Sequence, residues 1–166
     1  MRRLVLIAHN LRSTHNVGSL LRTCEGLGVE RVYLTGYTPY PEHDGDERLP
    51  HLAQKIDRQI IKTALGAEKL IEWQHQADLD TVLADLKKQA FVIAALEQAA
   101  GSVKLPDYDP PDKLALIVGR EVEGLEPEIL AACDLILEIP MFGRKESFNV
   151  VQAAAMALYH LRFAKP

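Results

Sequence analysis

Polar residues whose types and spacing could support chemistry stand in three short segments, the first from Asn16 to Gly26. It places Arg22 in an otherwise apolar stretch of helical periodicity. With Asn16 as the helix cap, Arg22 lies nearly two turns into the helix, where a partly buried guanidinium needs an anionic partner. A structural salt bridge and a substrate-binding cation explain this pattern equally well.

The second segment follows the apolar run Leu114-Ala-Leu-Ile-Val118, which is typical of a strand buried on both faces. Gly119 ends that run and allows a ligand to approach the backbone closely. Glu121 offers a carboxylate that accepts hydrogen bonds from ribose hydroxyls or orients a neighbouring side chain. A simple strand-to-helix turn would also account for both residues.

The third segment begins at Ile139 and carries Ser147 and Asn149 at the start of the last predicted helix. An ordinary helix cap explains a serine or an asparagine at such a position. All three segments come after predicted strands, which is where open α/β sheets bind their ligands.

The elements that must position these residues alternate between strand and helix, which predicts an α/β fold: a mostly parallel sheet with helices on both faces. The predicted strands are Arg3–Ala8, Arg31–Thr35, Lys69–Trp73, Phe91–Leu96, Leu114–Gly119 and Leu135–Ile139. The predicted helices are Val17–Leu27, Gln59–Gly66, Leu79–Lys88, Pro127–Ala132 and Phe148–Phe163. The segments Tyr37–Pro50 and Gly101–Asp112, rich in proline and acidic residues, are predicted to be surface loops.

Composition predicts one soluble domain over residues 1–166, since the chain is 48% hydrophobic and 25% charged. No apolar run approaches the ~18 residues that a membrane helix needs. Cys24 and Cys133 form no Cys-x-x-Cys pair and stand in apolar stretches, which favours a reducing, cytoplasmic compartment. The net charge of −4 means that any RNA must be attracted by local basic patches.

Motifs of several enzyme classes are missing from the sequence. It has no phosphate-cradling glycine loop, no Gly-x-Ser-x-Gly and no His-Glu-x-x-His, and its six histidines are scattered. Gly26-Leu-Gly28 lacks the third glycine of a dinucleotide fingerprint and follows a helix rather than a strand. Serine hydrolases, zinc hydrolases and nicotinamide-dependent oxidoreductases are therefore disfavoured, and no metal site is predicted.

Taken together, the three segments resemble the motifs of the SpoU/TrmH branch of the SPOUT methyltransferases, which methylate RNA ribose with S-adenosylmethionine. The patterns Asn-x5-Arg-Thr, Gly-x-Glu-x-x-Gly-Leu and Ile-Pro-Met-x-Gly-x3-Glu-Ser-x-Asn-Val occur in the family's order between Leu4 and Leu161. Phe148 stands where the family more often has leucine. We expect little change in function from that departure, because this residue contributes mainly its backbone and an apolar wall.

The resemblance implies a fold with a deep C-terminal trefoil knot and a homodimer that binds the cofactor in the knot, near the subunit interface. We expect a minimal form of the family without an RNA-binding extension before Leu4, and this expectation favours a tRNA substrate over ribosomal RNA. The alternative is a non-catalytic RNA-binding protein that has retained the knotted fold. The joint presence of Arg22, Glu121, Ser147 and Asn149 argues against that alternative.

The resemblance also assigns roles to individual residues. The catalytic cluster comprises Arg22, Asn16, Glu121, Ser147 and Asn149. The cofactor is expected against Leu96, Gly119, Ile139, Met141 and Phe148. RNA is expected to contact Arg12, Arg120, Arg144 and Lys145.

Two alternatives stay open at the level of the sequence. Arg22 either acts as a base in its RNA-bound surroundings or stays charged and stabilises the developing alkoxide. The apolar face of the last helix fits a dimer interface and the protein core equally well. That face comprises Val150, Val151, Ala154, Ala157 and Leu161.

Overall fold

The computed structural model describes residues 1–164 and contains a seven-stranded, fully parallel sheet flanked by helices. The strands are β1 (Arg3–His9), β2 (Arg31–Thr35), β3 (Trp73–Gln76), β4 (Val92–Leu96), β5 (Val103–Lys104), β6 (Lys113–Val118) and β7 (Leu135–Glu138). The helices are α1 (Thr14–Gly26), α2 (Pro50–Ala64), α3 (Leu79–Lys88), α4 (Pro127–Ala132) and α5 (Val150–Phe163). The strand order is β3-β2-β1-β6-β4-β7-β5.

Two apolar clusters cover the two faces of the sheet, as the predicted α/β class requires. Alternate residues of β1 point to opposite sides, with Leu6 in the cluster beneath α1, α2 and α5 and Ile7 in the cluster beneath α3 and α4. Both residues are fully buried, as are Leu114–Ile117 at the centre of β6. A strand buried on both faces explains why these runs are continuously apolar.

The last helix lies against α1 and the sheet, and β7 lies between β4 and β5. Ala154, Ala157 and Leu161 are fully buried within the chain, so they belong to the core and not to an exposed interface. The chain threading of a trefoil knot stays a prediction from the resemblance. None of the helices within residues 1–164 has the length and apolar character needed to cross a membrane.

Several sequence-based boundaries differ from the structure, three of them substantially. The third strand is Trp73–Gln76 instead of Lys69–Trp73, because Leu65 and Gly66 take left-handed conformations and Ala67–Lys69 then forms a 3-10 turn. Helix α2 begins at Pro50, well before the predicted Gln59, with the proline in the first turn where its missing N–H costs nothing. The predicted loop Gly101–Asp112 contains the short edge strand β5.

The N-terminus of α1 also differs from the prediction, with consequences for the site. Ser13, and not Asn16, caps the helix, since the Ser13 hydroxyl accepts the Asn16 N–H at 3.2 Å. Asn16 lies in the first turn, where its side chain is available for contacts outside the helix. Leu20, Leu21 and Cys24 are buried on one face of the helix.

Close packing of α1 on α2 depends on Gly18. A Cβ built at Gly18 would lie 2.2 Å from the Ile60 carbonyl oxygen and 2.2 Å from the Thr63 hydroxyl. Any side chain at this position would therefore force the two helices apart. Gly26, at the end of the same helix, has no atom within 4 Å of its Cβ position.

We expect Gly18→Ala to lower the free energy of unfolding by about 1–3 kcal/mol, the usual cost of overpacking a core. Gly26→Ala is the matched control and should leave that free energy unchanged or raise it by up to about 1 kcal/mol. Urea denaturation of the two variants measures both values. Equal effects at the two positions would contradict the packing argument.

Candidate functional site

A cavity opens at the carboxyl ends of β4, β6 and β7, where parallel sheets bind ligands. The loops that follow these strands and the first turn of α5 form its walls. The lining residues are Leu96, Glu97, Gln98, Val118, Gly119, Arg120, Glu121, Val122, Glu123, Gly124, Ile139, Ser147, Phe148, Val150 and Ala153. The cavity thus draws residues from the second and third chemical segments of the sequence.

Four of the five residues predicted to contact a cofactor line this cavity: Leu96, Gly119, Ile139 and Phe148. Gly119 is buried, and Leu96 and Ile139 are half-buried at the ends of their strands. Met141 is half-buried but is not among the cavity's lining residues in the described part of the chain.

A chain of hydrogen bonds joins the three chemical segments at the edge of the cavity. The Asn16 side-chain amide donates to Glu121 Oε1 at 3.0 Å, and the Asn149 amide donates to Asn16 Oδ1 at 3.5 Å. Asn149 Oδ1 also accepts the Val151 N–H at 2.9 Å and so caps α5. The Asn149 side chain therefore caps α5 with its oxygen and contacts Asn16 with its nitrogen. Ser147 lines the cavity close by.

Arg22 lies apart from this cluster. Its side chain is exposed, contrary to the partly buried guanidinium predicted from the sequence. It borders a surface depression between α1 and α5 that is also lined by Ala155 and Tyr159. Because six residues separate Asn16 from Arg22, the rise of the helix places them about 9 Å apart along its axis.

The cations predicted to contact RNA have different surroundings. Arg12 is exposed and forms a 3.6 Å ion pair with Glu123, and Arg144 and Lys145 are exposed on the segment between β7 and α5. Arg120 is half-buried, pairs with Glu126 at 2.9 Å and contacts the Gly124 carbonyl. Arg120 thus shapes the loop that follows β6.

Buried polar contacts fix the loop that carries Arg12. Asn10 accepts the Tyr37 N–H at 3.2 Å, which orients its amide so that the NH₂ group donates to His9 Nε2 at 2.9 Å. His9 Nδ1 must then carry the proton and donate to the Thr35 hydroxyl at 2.9 Å. Burial lowers the pKa of His9, an effect that Glu126 opposes and Arg120 reinforces. Hydrogen bonds through Asn10 and a neutral His9 therefore hold the loop after β1 against the end of β2 and the loop that follows it.

The charges around the cavity favour a cationic ligand. Its ionisable lining residues are Glu97, Glu121, Glu123 and Arg120. Arg120 is neutralised by Glu126 and Glu123 by Arg12, which leaves the carboxylates of Glu97 and Glu121. Within residues 1–164 no group of three histidine, cysteine, aspartate or glutamate side chains is arranged to hold a metal ion.

Sequence reasoning overlooked Glu97 entirely. It directly follows β4 and lines the cavity, with its carboxylate bonded to the backbone of the loop after β6. The rule that found Gly119 and Ile139, which looks for residues at the carboxyl ends of strands, applies equally to this position.

The fold and the site together define an α/β protein with a ligand cavity at the carboxyl edge of a parallel sheet. The chain belongs to the SpoU rRNA Methylase family, whose model matches residues 3–159. The family membership predicted from the three motifs is thereby confirmed.

Curated relatives include a tRNA (guanosine(18)-2′-O)-methyltransferase of Aquifex aeolicus, 29% identical over 94% of this chain and 67% of that protein. The 23S rRNA (guanosine-2′-O-)-methyltransferase RlmB of Neisseria meningitidis is also 29% identical, over 96% of this chain and 58% of its own length. The chain thus spans between about half and two thirds of these relatives.

Among solved structures, an AdoMet-bound rRNA methyltransferase from Sinorhizobium meliloti superposes with a TM-score of 0.80. The match covers 96% of this chain and 56% of that one at 22% sequence identity. This likeness establishes the predicted fold class.

Proposed function

We propose that this protein is an S-adenosylmethionine-dependent RNA methyltransferase that transfers a methyl group to a ribose 2′-hydroxyl. The observation that carries the proposal is the Asn16–Glu121–Asn149 cluster, which joins all three family motifs at the edge of one cavity. The curated relatives act, by their names, on tRNA and on 23S rRNA at the same 29% identity. We keep tRNA as the first substrate to test, and ribosomal RNA as the second.

The cavity suits S-adenosylmethionine in its lining residues and in its charge. Leu96, Ile139 and Phe148 offer apolar surface for an adenine ring, and Gly119 contributes to the wall, although the space beside its Cα is filled by Leu125 and not left open to a ligand. The cofactor carries a sulfonium and an ammonium against a single carboxylate, so its net positive charge complements the net negative charge of the cavity lining. When bound, it supplies an activated methyl group on a good leaving group.

The residues of the chain then have to align the 2′-hydroxyl and remove its proton. The cluster of Asn16, Glu121 and Asn149, with the Ser147 hydroxyl, provides donors and acceptors that orient the ribose and the adjoining backbone. The ribose hydroxyl would have to give up its proton as its oxygen is methylated, so the chain has to provide a place for that proton. Arg22 either accepts that proton in RNA-bound surroundings or stabilises the alkoxide as a cation.

We also propose that the protein acts as a homodimer through an exposed stripe on α5. Met156, Tyr159 and Phe163 lie on one side of the helix with exposed fractions of 38%, 61% and 59%. Their side chains leave apolar surface in water that a second copy would bury. The stripe adjoins the depression beside Arg22, so a partner seated there would put this guanidinium at the subunit boundary.

The chemistry of the thiols supports a cytoplasmic location as part of the proposal. Cys24 is buried, and burial raises the pKa of Cys133 to about 11. Both are free thiols of low reactivity, as expected of a protein kept in a reducing compartment.

Arg22→Ala should reduce methyl transfer at least about 100-fold, because one charged group that stabilises a transition state is worth that much or more. The measurement is transfer of labelled methyl from S-adenosylmethionine to unmodified tRNA and, separately, unmodified ribosomal RNA, followed by digestion to nucleosides. Label should appear as a 2′-O-methyl nucleoside. Arg31→Ala is the control, since Arg31 pairs with Glu72 at the opposite edge of the sheet. Full activity of Arg22→Ala would reduce Arg22 to a structural role.

Charge reversal of the exposed pair Arg144 and Lys145 should weaken RNA binding and flatten its dependence on salt. The slope of log affinity against log salt should fall by about one for each cation that contacts a phosphate. Reversal of Lys87 and Lys88, an adjacent pair at the end of α3, is the matched control. Filter binding at several salt concentrations gives both slopes. A slope like that of the wild type would remove this assignment.

The double variant Met156→Glu/Tyr159→Glu should shift the protein from dimer to monomer, because it would place unpaired charges in an apolar interface. We expect the dissociation constant of the dimer to rise at least tenfold, measured by sedimentation equilibrium. Leu70→Glu is the control, since Leu70 is an exposed apolar residue outside this helix. A monomeric wild type, or a double variant that still dimerises normally, would contradict the proposal.

A further inference from the structure

Glu97 is a charged side chain on the cavity wall to which no family motif assigns a role. It directly follows β4, and its backbone N–H donates to the Leu137 carbonyl at 3.0 Å. This bond continues the ladder between β4 and β7 by one residue. The backbone of Glu97 is therefore held as firmly as the sheet itself.

The carboxylate of Glu97 is hydrogen-bonded to the loop between β6 and α4. Its Oε2 accepts the Leu125 N–H at 3.2 Å, and its Oε1 accepts the N–H of the neighbouring Gln98 at 2.9 Å. Gly124 makes this approach possible, because a Cβ there would lie 2.2 Å from Oε2. Gly124 also has a φ of +69°, a backbone conformation that favours glycine.

This contact is made at the C-terminal end of the cofactor loop, residues 119–125, which is also closed by the Gly124 N–H donating to the Arg120 carbonyl at 3.1 Å. Leu125 is only 6% exposed and packs into the core beneath α3, and a Cβ at Gly119 would lie 2.7 Å from Leu125 Cδ2. The two ends of the loop therefore meet around the Leu125 side chain. Between these ends the loop carries Glu121 to its hydrogen bond with Asn16.

We propose that Glu97 is a positioning residue for cofactor binding. By bonding the Leu125 N–H from β4, it holds the cofactor loop as one wall of the cavity and presents Glu121 to Asn16. Without its carboxylate, the Leu125 N–H loses its partner and the loop loosens. The inference rests on the proposed function, since it assumes that the cavity binds S-adenosylmethionine.

The test compares Glu97→Gln, Glu97→Ala and the control Glu30→Gln in the full chain. Glu30 pairs with Arg3 at the opposite edge of the sheet, so its variant also loses one charged contact. Two measurements are made: calorimetric affinity for S-adenosylmethionine, and hydrogen exchange of the backbone amides in residues 119–125. Thermal denaturation confirms that each variant is folded.

For Glu97→Ala we expect affinity about tenfold below the wild type, together with faster amide exchange in the cofactor loop and unchanged exchange in β6. The affinity and the exchange rate of Glu97→Gln should lie between those of the wild type and those of Glu97→Ala, because the glutamine amide keeps one acceptor oxygen for the Leu125 N–H. Glu30→Gln should match the wild type in both measurements.

Two results would overturn the inference while leaving the proposed function intact. In one, the wild type binds the cofactor and Glu97→Ala matches it in affinity and exchange. In the other, affinity falls while loop exchange stays unchanged, which would make Glu97 a direct contact and not a positioning residue. A wild type that binds no S-adenosylmethionine would overturn the proposed function, and the inference with it.

Discussion

The parallel direction of all seven strands is the constraint on which the rest of the structure depends. It brings the loops after β1, β4, β6 and β7 to one edge of the sheet, although they are far apart in sequence. Asn16 and Glu121 are 105 residues apart and share a 3.0 Å hydrogen bond there. The continuous apolar runs of β1 and β6 make this possible, because only strands covered on both faces can lie at the centre of such a sheet.

Charge at this edge is divided by location, with acidic side chains lining the cavity and basic side chains on the segment beside it. The carboxylates of Glu97 and Glu121 line the cavity, where a cationic cofactor fits. Arg144 and Lys145 stand on the exposed segment beside it, where phosphates can reach them. Arg120 lies between these zones and is neutralised by Glu126, so it disturbs neither. Net charge therefore says little about the partner, and the position of each charge says more.

Sequence reasoning succeeded where strand ends and motif order carry the information, and failed where a tertiary contact decides. Gly119 and Ile139 line the cavity, and both could be found because the carboxyl end of a buried strand is visible in the sequence. Phe148 also lines it, but only the family resemblance pointed to that residue. The exposure of Arg22 could not be predicted, since it depends on how α5 crosses α1. Glu97 was overlooked because its importance comes from the Leu125 N–H, a backbone group that no side-chain pattern reveals.

The position of Arg22 constrains how the site can work. Its helix carries it about 9 Å along the axis from Asn16, into a depression shared with Ala155 and Tyr159 of α5. Among the described residues no hydrogen bond or ion pair joins Arg22 to the cluster, so within one chain its guanidinium stands outside it. RNA could span that distance, with the nucleotide held by the cluster and its 2′-hydroxyl turned toward Arg22. Alternatively, a second copy on the α5 stripe could enclose the guanidinium. In both arrangements Arg22 is exposed in the isolated chain. That exposure leaves its guanidinium accessible to the RNA or to the second copy.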